Sequence, residues 1–140
     1  MQNLLFIADE DELSKLQPDD NPKDSFTCMN GLGIDLEMRA QLYSLINGEF
    51  LDDCLLLEEP LQTSSDEGPW ITRLPRELTQ QIADLADEQL TEVVDNWREC
   101  SDVEAADLGQ DDLSEYLYIL TNLCQNTMQE AGLHIYTYTV

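Results

Sequence analysis

Between Leu74 and Trp97 two amphipathic repeats follow each other with almost nothing between them. Leu74, Leu78, Ile82 and Leu85 recur at +4, +4 and +3, and Leu90, Val93, Val94 and Trp97 then stand at i, i+3, i+4 and i+7. Both spacings are those of one helix face. The join is too short for anything but an αα-hairpin or a kinked single helix. Pro75 falls in a first turn, where its missing N–H is no loss, and Asp87 is placed to cap the second helix. Trp97 continues the apolar face and is expected in the core. Arg76 and Arg98 fall off that face and are expected to be solvated.

The rest of the chain supplies further helices and two terminal strands. Asp112 with Glu115 has the spacing of an acidic capping box. After it Leu113, Tyr116, Leu117, Leu120, Leu123, Cys124, Thr127 and Met128 trace one stripe of a longer helix that Gly132 ends. Asp35 caps an earlier helix with Met38, Leu42, Leu45 and Ile46 on its apolar face, closed at Asn47-Gly48. Asp9 and Glu12 form a second capping box, opening a short helix through Leu13 and Leu16 that Pro18 stops. "LHIYTYTV" alternates β-branched and aromatic residues and predicts a strand. The apolar run Asn3 to Ala8 is its natural partner. "FTCM" suits a short strand and "NGLG" a turn, "PWITRL" a brief extended segment, and "EFLDDCLLLEE" either a helix or a strand. "PDDNPKDS" and "QTSSDEG" read as loops. The expectation is an α+β fold: one domain, residues 1–140, predominantly helical, with a small sheet that includes both the N- and C-terminal strands.

A chain of 140 residues can bury a core large enough to need no disulfide or metal staple. Cys28, Cys54, Cys100 and Cys124 are far apart and form no CxxC; Cys54, Cys100 and Cys124 suit buried reduced thiols. The first residues lack the cationic start of a secretory signal, and no apolar stretch approaches the length of a membrane span, so a cytoplasmic location is expected.

Charge narrows the function. Thirty Asp and Glu face six Lys and Arg, a formal net charge of −24. Such a field repels nucleic acids and anionic membrane surfaces and steers in a basic protein partner. Acids at helix starts have a structural reason, since they complement the helix dipole. Those between Asp52 and Glu67 do not. Asp52, Asp53, Glu58, Glu59, Asp66 and Glu67 form three doublets there and are the candidate partner-binding residues. Signals for chemistry are sparse. Nucleophilic catalysis needs a base beside the nucleophile, and the single histidine, His134, lies in the terminal strand, where a lone histidine is more often a packed or surface residue than a catalyst. There is no GxSxG and no phosphate-binding Gly-rich loop. "DEDE" lacks the glycine and the final glutamate of a calcium loop. No catalytic residue, metal ligand or cofactor is assigned.

The order "PWITRLPRELTQQIADLADEQLTEVVDNW", a long amphipathic helix and a terminal "LHIYTYTV" resembles small acidic uncharacterised bacterial proteins of the toxin-immunity type. The resemblance covers the C-terminal half and implies a binding protein, with no catalytic residues to carry over. The expected function is therefore a small acidic protein-binding domain, an inhibitor or immunity protein on a basic partner surface, with nucleic-acid mimicry as a special case. A carboxylate-based small-molecule or metal-dependent enzyme and a homo-oligomeric module without ligand are the alternatives.

Overall fold

A computed structural model describes residues 3–15, 26–61 and 70–139. In chain order the elements are β1 (Asn3–Ala8), α1 (Glu10–Ser14), β2 (Thr27–Asn30), α2 (Leu36–Asn47), α3 (Leu51–Cys54) and β3 (Glu59–Pro60). Then come β4 (Trp70–Arg73), α4 (Arg76–Ala83), α5 (Asp87–Trp97), α6 (Ser101–Ala105), α7 (Gln110–Thr127) and β5 (His134–Thr139). The fold is α+β. Among the described residues five strands form one antiparallel sheet in the order β2-β1-β5-β4-β3, so the two terminal strands are neighbours near its centre.

Register decides what each sheet face carries. Asn3, Leu5 and Ile7 of β1 stand opposite Thr139, Thr137 and Ile135 of β5, and Trp70 and Thr72 of β4 stand opposite Thr139 and Thr137. Directly paired residues point the same way, so these side chains share one face. The helices cover its Leu5–Ile135 end. There α2, α4, α5 and α7 pack on one another around Leu42, Tyr43, Leu78, Ile82, Val94, Trp97, Leu113 and Leu117. Trp97 is fully buried, donates its indole N–H to the Met38 carbonyl at 2.9 Å and lies 5.8 Å from the Tyr116 ring. Truncating such a core tryptophan costs about 3–5 kcal/mol.

The opposite sheet face is apolar as well. Leu4, Phe6 and Ala8 join Tyr136 and Tyr138 there, with Leu13, Phe26 and Ile71 against them. Phe6 stacks between Phe26 and Tyr136 at 5.1 and 5.5 Å. Both faces of β1 and β5 are therefore covered, which explains why neither strand shows a clean polar alternation.

Several local expectations shift on inspection. The Asp9–Glu12 capping box is present, and Asp35 caps α2 through Met38. Helix α5 starts at Asp87 itself, behind Ala86, with Gln89 accepting from the Ala86 N–H. Helix α7 begins at Gln110, so Asp112 sits at its third position and accepts from the Gly109 N–H. Asp112 thus fills the place expected of Glu115. The short helix α6 carries only Val103 inward, too little periodicity to read. Arg76 is half-buried rather than solvated: its Nη1 donates to the carbonyls of Leu133 and Glu130, 2.5 and 3.2 Å away. Arg98 is exposed as expected. Cys54 and Cys124 are buried thiols, and burial raises the pKa of each; Cys100 is half-buried. Leu16, Pro18 and both expected loops lie largely or wholly outside the described residues. Among the described residues no helix is long and apolar enough to cross a membrane.

Candidate functional site

The ground for a site is the stretch from Asn47 to Glu59, where α2 ends and the chain returns to the sheet edge. Gly48 takes the left-handed conformation, φ 75°, and its N–H bonds to the Ser44 carbonyl at 2.9 Å. Asn47 Oδ1 accepts from the Glu49 N–H at 2.9 Å, and Ser44 Oγ donates to the Glu49 carbonyl at 2.6 Å. This turn is pinned by its own polar groups.

Helix α3 follows and buries a single side chain, Cys54. Leu55 and Leu57 pack partly against the core and Glu58 is buried, while the other large side chains around α3 look outward. Phe50 and Leu56 are each 81% exposed, and Leu51 is 41% exposed. Asp52 and Asp53 are exposed beside them, with Glu49 just before. Among the described residues the next most exposed large apolar side chain is Tyr118, at 60%. An exposed phenylalanine carries no polar group that water can satisfy, and a short helix that buries one residue gains little from folding by itself. Next to α3 a cleft of about 300 Å³ opens against α4. Its floor is Leu57, Pro75 and Leu78, and its carboxylates are Glu49, Asp53 and Glu77.

The six sequence candidates separate. Asp52 and Asp53 lie together in the first turn of α3, so, contrary to expectation, these two acids do stand at a helix start, where they complement the helix dipole. Glu59 is exposed on β3, held by Arg73 Nη2 at 2.5 Å, while Arg73 Nη1 reaches Glu10 at 2.8 Å. Asp66 and Glu67 lie outside the described residues. Glu58 does not belong to an exposed cluster, because its carboxylate is buried. Oε2 accepts from Arg39 Nε at 2.7 Å and from the Tyr43 hydroxyl at 2.6 Å. Oε1 accepts from Arg39 Nη2 and from Thr72 Oγ1, both at 2.9 Å. Thr72 has one hydroxyl proton and gives it to Glu58, so Thr137 is the donor in the 2.5 Å contact between the two threonines. Arg39 Nη1 donates to the Ile34 carbonyl at 2.9 Å.

With four donors on two oxygens, Glu58 has its acceptor capacity filled. Burial works against the Arg39 charge, but the hydrogen bonds and charge of Glu58 outweigh it and raise the guanidinium pKa above its usual value. Burial, then the Glu58 charge, pushes the Tyr43 phenol well up. The quartet is a clamp that holds the start of β3 to α2, and so fixes where α3 projects. Sequence reasoning missed Arg39 and Tyr43 as buried partners. Their i, i+4 spacing was the available signal, but an arginine does not count toward an apolar face.

Acidity is not confined to α3. A second hollow, of about 500 Å³, is lined by Asp95, Arg98, Glu99, Glu104, Asp107 and Leu108. Among the described residues no comparably exposed apolar side chain lines it. His134 lies across from Ala8 and edge-on to Tyr136 at 6.2 Å. Among the described residues no group of three or more His, Cys, Asp or Glu is placed to hold a metal ion. Comparison with protein-family models, curated proteins and solved structures finds no match to this chain.

Proposed function

We propose that this chain is an acidic protein-binding domain that docks the α3 surface onto a basic surface of a protein partner, in the manner of an inhibitor or immunity protein. The observation that carries this reading is the exposure of Phe50 and Leu56, 81% each, on the segment that carries Asp52 and Asp53. Large apolar side chains ringed by charge are the usual anatomy of an interface, with the aromatic as anchor and the charges as rim. The net charge of −24 steers a basic partner inward and discourages anionic ones. The neighbouring cleft adds a place for a cationic side chain: its methylenes meet Leu57, Pro75 and Leu78, and its charge meets Glu49, Asp53 and Glu77.

The test is paired capture from host lysate. The wild-type chain, a Phe50→Ser/Leu56→Ser variant and an Asp52→Lys/Asp53→Lys variant are immobilised side by side at low salt. A basic protein retained by the wild type and lost by both variants supports the reading. Equal retention on all three, or retention of nothing by the wild type, sinks it.

A further inference from the structure

The sheet ends in a second cleft that the proposed interface does not use. The register places Trp70, Thr139 and Asn3 in one row across β4, β5 and β1, at the end of the face that the helices cover. The start of α2 stands over this row, and between them opens a cleft of about 360 Å³. Trp70, Leu36, Thr139 and Asn3 line it, with Asp35 and Glu37 from the first turn of α2. Trp70 is 45% exposed although it sits in a paired strand. An indole facing a cavity, with polar groups placed around it, is the general anatomy of a small-molecule site.

The charges select the ligand. Arg39 also lines the cleft, but its guanidinium is held on both oxygens of Glu58. Among the described residues that leaves Asp35 and Glu37 as the lining charges without a lining counter-charge. The start of α2 contributes roughly half a positive charge, less than the two carboxylates beside it. One Asp35 oxygen accepts from the Met38 N–H at 2.9 Å and so screens that helix end. An anion is therefore disfavoured here. An ammonium group is attracted both by the carboxylates and by the face of the indole.

We propose that this cleft binds a small organic cation: an ammonium group on an apolar or aromatic body, stacked against Trp70 with its charge toward Glu37 and Asp35. The site is separate from α3 and stands or falls without the protein-binding reading.

The chain has two tryptophans, so a ¹⁵N-labelled sample gives two indole N–H signals. Trp97 is buried and bonded to Met38, and a Trp70→Phe variant identifies the other signal by its loss. Phenethylamine, 2-phenylethanol and phenylacetate are titrated separately at about 0.15 M salt, which screens loose attraction to the acidic surface. The expected result is a saturable shift of the Trp70 signal with the amine, about tenfold weaker binding of the alcohol, no binding of the acid, and a stationary Trp97 signal. Glu37→Gln, a change at an exposed position, should weaken the amine several-fold and leave the alcohol as it was. Equal affinity for amine and alcohol, a Trp70 shift that is absent or never saturates, or a Glu37→Gln variant that binds the amine unchanged overturns the proposal.

Discussion

Arg39 and Glu58 meet in a two-point ion pair at 2.7 and 2.9 Å, with 5% and 1% of their side chains exposed. Arg39 comes from α2 and Glu58 from the turn before β3, so the pair ties the helical layer to the sheet edge. Among the described acids it is the one that the fold has taken out of water, and it sets the position of the segment that carries Phe50 and Leu56.

Breaking the pair from either side leaves an uncompensated buried charge. Arg39→Met and Glu58→Gln are each expected to destabilise by about 3–5 kcal/mol, and the double replacement by distinctly less than their sum. Urea unfolding of the four proteins gives the coupling directly. Additive losses would mean that the two groups do not share one interaction.

The interface reading separates stability from binding. Phe50 and Leu56 touch little, so Phe50→Ser and Leu56→Ser should leave the unfolding free energy within about 0.5 kcal/mol of wild type. Charge reversal at Asp52 and Asp53 should act on a captured basic partner mainly through a slower association rate and a flatter salt dependence. Surface plasmon resonance across a salt series resolves this. An unchanged association rate would remove Asp52 and Asp53 from the steering surface.

Gly48 isolates a purely conformational cost. Its φ is 75°, and a Cβ added there would meet nothing within 4 Å. Gly48→Ala is therefore expected to destabilise by about 1–2 kcal/mol through the left-handed backbone alone. Gly48→Asn should lose less, because asparagine tolerates that region. Denaturant midpoints of the two variants should rank in that order; the reverse order would show that the turn had changed.

Much of the frame was legible because it rests on periodicity. The two repeats from Leu74 to Trp97 became α4 and α5, and the alternating terminal segment became β5 beside β1. Element starts were less legible: Asp87 and Asp112 are good caps, but Gln89 and Asp112 reach back to Ala86 and Gly109 instead. The candidate site was half legible. Local composition marked Asp52 and Asp53, yet nothing local distinguishes Glu58 from Glu59. What separates them is the strand-like alternation at the sheet edge, which turns Glu58 toward Arg39 and Tyr43 and Glu59 toward Arg73. The pocket around Trp70 depends on register between three strands far apart in the chain, so no single stretch of sequence announces it.

His134 gives the fold a dependence on pH with a definite sign. Burial lowers its pKa below the ordinary 6.5, and the positive charges of Arg73 and Arg76 lower it further against a smaller opposing pull from Glu10. Its Nδ1 is buried without a hydrogen-bond partner, and Tyr136 packs beside the ring. As pH falls through 6.5, the unfolded chain takes up this proton before the folded one does. The stability that His134 contributes is thus complete above pH 6.5 and is lost as pH falls through the depressed folded value. It is the single histidine, and ordinary carboxylates titrate lower, so the upper part of this window belongs to it among the side chains. Urea midpoints measured from pH 7.5 to 5.5 should decline for the wild type and decline less steeply for His134→Gln. Parallel profiles would show that the imidazole protonates equally well in both states, and that Arg73 and Arg76 do not act on it.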